Sequence, residues 1–549
     1  MPQNDPLEHL GDFTTTTRVL PIAALAIVIG AIAAYVATGL LKLINFFTNL
    51  FFYQRFSWAA ATPAGQHLGF YVVLVPIIGA FIIGLMARYG SEKIRGHGIP
   101  EAIEAILMKQ SRVEPKVAIL KPLSSAISIG SGGPFGAEGP IIMTGGAIGS
   151  LFAQFFHLTA SERKTLLVAG AAAGMSATFA APVASVVLAI ELLLFEWKPR
   201  SIIPVAIASA TAAAVRTHLL GLGPVFAVPA HAAMNGWHGL AGCLVAGALA
   251  GVLSALLTNA VYASEDVFHK LPIHWMWWPP IGGLVIGIGG LLFPEALGVG
   301  YSVIDQLLQG DAPARIIIGV LLVKSTIWAI SLGSGTSGGV LAPLLMMGAA
   351  LGGAEAHFLP AEGAGLWPLV SMGAVLAGTM RAPLTGVVFA LELTHDVNML
   401  LPLLIAVTIS YGFTVLTMKR SILTEKIGRR GFHLSQEYSV DPLEIIFARE
   451  VARADAGDAL VAGARAHGIV AYADEPLRVV AYRMAEYGLT CLPVISPEGA
   501  TLGIIELSDL LTARSRVLDA EQHRERHLGT RVQLRAIAAL FGGHRKPSV

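Results

Sequence analysis

The chain contains few of the residues that build disulfide, metal or nucleic-acid sites. Cys243 and Cys491 are the only cysteines among 549 residues, which argues against a disulfide framework and against a cysteine metal site. The formal net charge is only +1, and no long basic run is present. Such a chain has no electrostatic basis for binding nucleic acid. We therefore expect no metal site, no resident cofactor and no nucleic-acid partner.

Charged residues are also scarce, and they are unevenly distributed. They make up 13% of the chain, and of these 73 residues (37 basic and 36 acidic) 46 fall within residues 1–440 and 27 within residues 441–549. The second density is typical of soluble proteins and the first is far below it. This contrast predicts a membrane domain followed by a soluble domain.

Several uncharged runs are long enough to span a bilayer, which needs about 20 residues of helix. The run from Val19 to Leu41 has 23 residues without a charge, and we read it as a retained span because it is too long for a signal-peptide core. Further candidates are Phe70–Ala87, Ala232–Ser264, Ile273–Pro294 and Asn398–Met418. Shorter apolar pieces, broken by glycine and proline, lie between them. Interrupted helices at membrane depth indicate a transport site near the midplane.

The membrane domain contains an internal repeat. Residues 181–192 align without gaps to residues 382–393, with seven of twelve pairs identical and an offset of 201. Residues 127–132 match residues 330–335 at an offset of 203, which also pairs Lys121 with Lys324. Two ordered matches at nearly one offset indicate a duplication. Glu191 and Glu392 occupy equivalent positions in it, which favours a structural role at helix ends. The paired lysines either tune the potential of a pore or snorkel to the membrane surface.

The most distinctive stretch is the glycine-rich loop at residues 130–140, which holds one carboxylate, Glu138. Glycine lets successive N–H groups turn toward one point, and Pro140 suits the first turn of a helix. Glu138 is thus predicted at a helix N-terminus, a position that favours anions. The matching loop at residues 333–343 places Leu341 opposite Glu138. One loop with a charge and one without are consistent with a single gated path for anions.

In these motifs the chain resembles the CLC family of chloride channels and chloride/proton exchangers, followed by a module of the cystathionine-β-synthase (CBS) type. Residues 96–100 (Gly-His-Gly-Ile-Pro) resemble the family's GSGIP motif, residues 136–140 (Gly-Ala-Glu-Gly-Pro) its GREGP, and residues 339–343 (Gly-Val-Leu-Ala-Pro) its GIFAP. The resemblance implies an all-α polytopic membrane protein with an inverted internal repeat, and a small α/β soluble domain at the C-terminal end. It also implies a homodimer that forms through the membrane domain, with one pore per subunit.

Residue roles follow from the resemblance position by position. Glu138 matches the gating glutamate, whose carboxylate occupies an anion site and swings away on protonation. The anion-binding positions are expected at three helix starts: His97, Gly98 and Ile99; Gly139; and Val340 and Leu341. The bound ion is expected to be chloride or another small anion, with protons as gating or coupled partners.

Three departures from the family pattern affect the expected mechanism. His97 stands where the family has a serine that reaches the central anion, and Leu423 aligns with its inner-gate tyrosine. Leu192 matches a glutamate that relays protons in many exchangers, and leucine carries no proton. These residues favour a voltage- or pH-gated channel or uniporter over the alternative, a chloride/proton antiporter. Some exchangers of the family manage without that carboxylate, so both remain open.

The expected domain organisation places a cytoplasmic segment at 1–18, the transmembrane domain at 19–431 with repeat halves of about 19–216 and 232–431, a CBS-like domain at 440–516, and a basic tail at 517–549. Basic residues from Lys419 to Arg430 favour a cytoplasmic C-terminus, and a bacterial inner membrane is the expected location. The segment Phe447–Val461 resembles the stub of a shortened first CBS motif. Asp509 matches the acid that contacts ribose in nucleotide-binding examples, but Glu506 replaces the customary threonine, which makes a nucleotide doubtful.

Two other classes of function are less favoured. A membrane-embedded enzyme would use Ser131 or Ser334 as a nucleophile with a histidine base, yet both serines lie at duplicated positions in matched loops. A sensor whose membrane domain no longer conducts would show no anion flux at any pH.

Overall fold

The structure is a computed structural model that describes residues 15–234, 236–431, 443, 446–453, 469–496 and 498–515. The chain divides into two compact units, Met1–Gln436 and Glu437–Val549. The expected basic tail at 517–549, most of the N-terminal segment and most of the segment interpreted as a CBS stub lie outside the described residues. The two units are described separately below.

The described part of the first unit consists of helices joined by loops. Its helices are α1 Val19–Tyr53, α2 Leu74–Tyr89, α3 Ile99–Met108, α4 Pro115–Gly130, α5 Glu138–Gln154, α6 Ala160–Phe179, α7 Pro182–Ala189, α8 Pro199–Leu220, α9 Trp237–His269, α10 Trp278–Leu292, α11 Tyr301–Leu308, α12 Ala314–Gly319, α13 Ser325–Gly333, α14 Leu341–Glu355, α15 Leu366–Met380, α16 Pro383–Thr394, α17 Leu400–Thr417 and α18 Thr424–Arg429. Single π-helical turns extend α7 (Ile190–Leu194) and join α12 to α13 (Val320–Lys324).

Seven helical stretches in the described part of the chain are long and apolar enough to cross a membrane. They are Val19–Tyr53, Gly69–Tyr89, Pro199–Leu220, Trp237–His269, Trp275–Leu292, Ala314–Gly333 and Val397–Thr417. The prediction of a polytopic membrane domain is therefore confirmed. Helices α5, α14, α15 and α16 are shorter and mostly buried inside the unit.

Local sequence signals explain many of the helix boundaries. Helices α4, α7, α8 and α16 each begin at a proline, whose missing N–H costs nothing in the first turn. Thr159 and Glu162 form a capping box at the start of α6. Helices α6 and α15 both end at a left-handed residue, Ala180 and Arg381, which are 201 positions apart. The duplication read from the sequence thus extends to the helix ends.

The packing of the helices repeats between the two halves. In the first half α5 packs on α6, α6 on α8, and α1 on α8; in the second half α14 packs on α15, α15 on α17, and α9 on α17. The two halves also contact each other, through α2 with α10 and α7 with α16. One large core of buried apolar side chains runs through both halves.

The contact between α7 and α16 shows that the two halves are inverted. Glu392, near the end of α16, accepts the N–H groups of Val183 and Ala184 at the start of α7, at 3.0 and 2.7 Å. Glu191, in the π turn after α7, accepts those of Leu384 and Thr385 at the start of α16, at 3.0 and 2.9 Å. Each helix end therefore caps the start of the other, which requires the two helices to run antiparallel. The two glutamates have the helix-end role that their equivalent positions favoured.

The second unit contains a small mixed sheet. Its strands are β1 Ala471–Tyr472, β2 Cys491–Ile495 and β3 Thr501–Glu506, with helix α19 Leu477–Tyr487 between β1 and β2. Strand β2 pairs in parallel with β1 and antiparallel with β3, where Leu492 lies opposite Ile505. Residues 507–515 are helical. Buried side chains of α19, β2 and β3 form a separate core, and the expected α/β character is confirmed.

Candidate ion-transport site

Three glycine-rich loops of the membrane domain meet at one point. Gly136 and Gly339 exchange backbone hydrogen bonds of 3.1 and 2.8 Å. The Gly338 N–H donates to the Gly96 carbonyl oxygen at 3.4 Å, beside a bridge between Gly96 and Ser337. These bonds draw together the N-termini of α3, α5 and α14. Since free N–H groups and the helix dipole both favour negative charge there, the meeting point is suited to an anion.

Glu138 is the first residue of α5 and is fully buried at this meeting point. Its Oε1 accepts a hydrogen bond of 3.4 Å from the Tyr301 hydroxyl, whereas its Oε2 is buried and has no hydrogen-bond partner among the described residues. A Cβ placed on Gly136 would lie 1.7 Å from Oε2, and one on Gly339 would lie 2.9 Å from it. The carboxylate thus fills a space that only glycine leaves open.

His97 and Gly98 approach the same point from the start of α3. Gly98 has φ +93° and packs so closely that an added Cβ would lie 2.4 Å from the Gly139 carbonyl oxygen. The His97 carbonyl oxygen faces Gly139 in turn. His97 is 4% exposed, and its buried Nδ1 has no hydrogen-bond partner within the described part of the chain. Ile99, Val340 and Leu341 are fully buried at the starts of α3 and α14. The structure therefore brings the predicted anion-binding positions together.

A cavity of about 460 Å³ opens beside His97. Its lining is rich in charged side chains, among them Arg95, Glu101 and Lys426. Lys426 of α18 pairs with Glu101 at 2.6 Å, and the other oxygen of Glu101 accepts the Gly98 N–H at 2.8 Å. This pair connects the last helix of the membrane domain to the start of α3. A small hydrated anion has room to reach His97 through the cavity.

The two duplicated lysines hold the loops around the site. Lys121 is fully buried, and its Nζ donates to the carbonyl oxygens of Ile94 and Gly96, each at 2.8 Å. Lys324 is also fully buried and donates to the Gly298 carbonyl oxygen at 2.7 Å. Neither lysine snorkels to the membrane surface, so that interpretation was wrong. Each one instead fixes the segment that precedes a helix start, α3 in one half and α11 in the other.

The two remaining sequence-predicted positions lie close to α3. Leu192 is fully buried in the π turn after α7, which packs against α3. Leu423 is the buried N-cap residue of α18, and α18 also packs against α3. Both positions present alkyl side chains, so neither contributes a hydroxyl or a carboxylate to the site.

Tyr301 is the contact that sequence reasoning missed. It begins α11 and reaches Glu138 across 163 positions of sequence. The 203-residue repeat offset aligns Gly300 and Tyr301 with His97 and Gly98 at the start of α3. Tyr301 could have been found from the sequence by extending the repeat alignment to this glycine-rich segment.

The two serines considered as nucleophiles in the enzyme hypothesis both donate hydrogen bonds to backbone carbonyl oxygens. Ser131 Oγ donates to the Ser128 carbonyl oxygen at 3.0 Å, and Ser334 Oγ donates to that of Ser331 at 2.6 Å. These are equivalent bonds at equivalent repeat positions, as shared architecture predicts. They hold the ends of α4 and α13.

A duplicated, inverted helical membrane domain with buried helix N-termini meeting at one carboxylate defines an ion-transport protein. A family model described as voltage gated chloride channel matches residues 78–415, and one described as CBS domain matches residues 466–516. The chain belongs to the voltage-gated chloride channel (CLC) family, and it carries a CBS domain. Members of this family are ion channels and transporters, so the protein is not an enzyme.

Individual relatives agree with this assignment. The H(+)/Cl(-) exchange transporter ClcA of Klebsiella pneumoniae (strain 342) is 30% identical over 421 residues, covering 70% of this chain and 84% of that protein. A putative chloride channel protein, ClcB-like, of Ralstonia nicotianae is 29% identical over 367 residues, covering 65% and 85%. The crystal structure of a slow cyanobacterial Cl-/H+ antiporter has a TM-score of 0.68 at 23% identity and covers 76% of this chain and 99% of that one. A CLC-type fluoride/proton antiporter has a TM-score of 0.62 at 19% identity, covering 73% and 97%.

Proposed function

We propose that the protein exchanges chloride for protons across the membrane, with Glu138 as the group that both blocks the anion path and carries the proton. The observation that carries the proposal is the buried Glu138 carboxylate at the meeting point of three helix N-termini, where one oxygen has no hydrogen-bond partner among the described residues. A deprotonated carboxylate there takes the place of an anion. Protonation removes the charge and weakens its hold on the site.

Leu192 favours a channel or uniporter. The names of the relatives favour exchange instead. Relatives at about 30% identity are named H(+)/Cl(-) exchange transporters. Exchange requires a proton route between Glu138 and the opposite membrane face that does not pass through a carboxylate at position 192. The cavity beside His97 has room for on the order of ten water molecules. We propose that water in this cavity serves as the inner proton route.

The central anion site is proposed to consist of the first N–H groups of α3 and α14 together with His97. His97 stands in place of the serine hydroxyl, and its buried, unpartnered Nδ1 is available to an anion. Chloride titration of purified protein tests this role. His97→Ala is expected to weaken chloride binding about tenfold, the effect of one lost hydrogen bond to a charged group, and His97→Ser is expected to restore part of it. Unchanged affinity in His97→Ala would remove His97 from the site.

Proteoliposomes under a chloride gradient test the main proposal. Wild-type protein is expected to drive protons uphill, and Glu138→Gln is expected to abolish proton movement because an amide carries no proton, while chloride flux continues. Glu355→Gln is a matched control, since Glu355 is also buried but bonds Ser371 at the far end of α14. Chloride flux without linked protons would mean a channel or uniporter, and no flux in any condition would mean a sensor.

We further propose a homodimer in a bacterial inner membrane, with both termini cytoplasmic. The basic residues around α18 support the orientation, because positive charge beside a final span favours the cytoplasmic side. Protease accessibility of the C-terminal unit in right-side-out and inverted vesicles tests it. Cleavage in right-side-out vesicles would contradict a cytoplasmic C-terminus.

The CBS domain is proposed to bind no nucleotide through Asp509. One oxygen of Asp509 accepts a hydrogen bond from Arg453, and the other accepts the Glu506 N–H at 2.9 Å. A ribose hydroxyl would have to displace these partners. ATP, ADP or AMP at millimolar concentration is expected to leave the melting temperature of the purified protein unchanged, and a rise would contradict the proposal.

A further inference from the structure

Tyr301 is held against the loop that carries Glu138. The Gly298 N–H donates to the Gly132 carbonyl oxygen at 3.1 Å, which ties the segment before Tyr301 to the Glu138 loop. The Gly298 carbonyl oxygen in turn accepts the buried Lys324 ammonium at 2.7 Å. The backbone that leads to Tyr301 is therefore held at both the N–H and the carbonyl group of Gly298.

The ring of Tyr301 is held equally firmly. Phe179 meets it edge-on at 6.4 Å between ring centroids, and Phe226 packs on it at 6.1 Å. Phe226 is anchored by its own N–H, which donates to the Leu393 carbonyl oxygen at 3.0 Å. The phenol oxygen consequently stays in place when the Glu138 carboxylate moves.

Tyr301 and His97 lie in equivalent segments of the two halves, His97 before the start of α3 and Tyr301 at the start of α11. Helix α3 begins at Ile99 and α11 begins at Tyr301, and the duplicated Lys121 and Lys324 fix the segments that precede them. Because the halves are inverted, α3 and α11 approach Glu138 from opposite faces of the membrane. His97 lines the cavity beside the site, whereas Tyr301, which contacts Glu138, does not line it.

We propose that Tyr301 is the positioning residue that holds the deprotonated Glu138 carboxylate in its blocking position. This inference rests on the proposed role of Glu138. The hydroxyl donates to Oε1, and a donor favours the charged carboxylate over the neutral acid. Protonation of Glu138 weakens this hydrogen bond. The Glu138 side chain then moves away, while Tyr301 stays in its position. Among the described residues, the Lys324 ammonium also acts electrostatically on Glu138, and every variant proposed to test Tyr301 retains it.

Tyr301→Phe tests the proposal because it removes only the hydroxyl and keeps the ring packed between Phe179 and Phe226. Chloride flux is measured in proteoliposomes from pH 4.5 to 8.5, with the same pH on both sides. The pH of half-maximal flux is expected to rise by roughly half a unit, which is about a threefold lower proton concentration. This is the effect expected from the loss of one weak hydrogen bond. Flux at pH 8 is expected to exceed that of the wild type.

Tyr53→Phe is the matched control. Its hydroxyl also bonds within the membrane domain, to the Thr62 carbonyl oxygen at 2.8 Å, and in the described part of the chain Tyr53 contacts neither Glu138 nor the cavity beside His97. A general loosening of the fold would shift both variants, whereas the proposal predicts a shift only for Tyr301→Phe. In a Glu138→Gln background, Tyr301→Phe is expected to have no further effect on the pH profile, because the two residues act as one unit.

The outcomes separate this inference from the proposed function. If Glu138→Gln leaves flux and its pH dependence unchanged, Glu138 is not the gate and both proposals are wrong. If Glu138→Gln alters the pH profile and Tyr301→Phe does not, Glu138 remains the gate and the role of Tyr301 is overturned. An equal shift in Tyr53→Phe also overturns it.

Discussion

The Glu138 carboxylate occupies a space bounded by backbone on two sides. Gly136 precedes it on the same loop and Gly339 faces it from the second repeat, and the two glycines are joined by a pair of hydrogen bonds. Neither position has room for a methyl group beside Oε2. The closed position of the Glu138 side chain therefore depends on glycine at positions 136 and 339 as much as on the hydroxyl of Tyr301.

Gly136→Ala is expected to displace the carboxylate and open the anion path. The new Cβ would lie 1.7 Å from Oε2 and 2.4 Å from the carboxyl carbon of Glu138. Because the end of a side chain moves more easily than backbone, Glu138 yields first. Flux at pH 8, measured in proteoliposomes, is expected to rise several-fold toward that of Glu138→Gln, and the number of protons moved per chloride is expected to fall.

Gly236→Ala is the control for this experiment, since Gly236 also precedes a helix and a Cβ there meets no atom within 4 Å. It is expected to transport as the wild type does. A Gly136→Ala protein with the wild-type pH profile would show that the carboxylate does not block the path from this position.

Sequence reasoning located Glu138 because a single carboxylate in a glycine-rich loop inside a membrane segment is conspicuous. It did not find Tyr301, since a tyrosine at the start of a short amphipathic helix is ordinary. Its contact with Glu138 joins two residues 163 positions apart and depends on how the two halves fold together. The pairing of Lys121 with Lys324 was visible in the repeat. Their partners are backbone carbonyl oxygens. Because every residue has one, the sequence does not identify which of them a lysine contacts.

At the scale of secondary-structure elements, the reciprocal caps of α7 and α16 join the two repeats. Each cap satisfies two N–H groups that a helix start otherwise leaves unpaired. In lipid such groups find no water, so the caps matter more than at a soluble helix end. The caps stabilise an interface between the halves that neither half can form alone.

Glu191→Ala and Glu392→Ala are each expected to destabilise the membrane domain by about 1–2 kcal/mol, as the loss of a helix cap does. The measurement is the melting temperature of the purified protein in detergent. Together the two changes are expected to add, because the caps lie at opposite ends of the helix pair. The exposed Glu92 serves as control, and Glu92→Ala should leave the melting temperature unchanged. If Glu191→Ala altered proton coupling at unchanged stability, Glu191 would belong to the transport path instead.

The repeat in the sequence marked α7 and α16 as equivalent segments but did not predict that they pack together. The uncharged runs located most of the spanning helices. The run that begins at Ala232 was expected to end at Ser264, yet α9 extends to His269. The next two residues, Glu265 and Asp266, are charged, and Asp266 accepts a hydrogen bond of 2.6 Å from Arg429 of α18. Hydropathy marks where a helix leaves the apolar region and does not mark where the helix stops.

At the scale of the whole molecule, one chain supplies the complete site. The three loops, the duplicated lysines and the cavity all belong to the same membrane unit. No step in the proposed exchange requires a residue from a second subunit. We therefore expect each subunit of the proposed homodimer to transport independently of the other.

Mixed dimers test this independence. Purified wild-type protein is expected to have the mass of two 57.6 kDa chains by light scattering after correction for detergent. A Gly339→Ala chain is the inactive partner, because its Cβ would lie 2.5 Å from the Gly136 carbonyl oxygen and 2.9 Å from the Gly139 backbone nitrogen. It is used only if it elutes as the wild-type dimer does. When the two chains are co-expressed in varying ratio, flux per dimer is expected to fall in proportion to the fraction of inactive chain. A fall with the square of the wild-type fraction would mean that both subunits must be intact for either to transport.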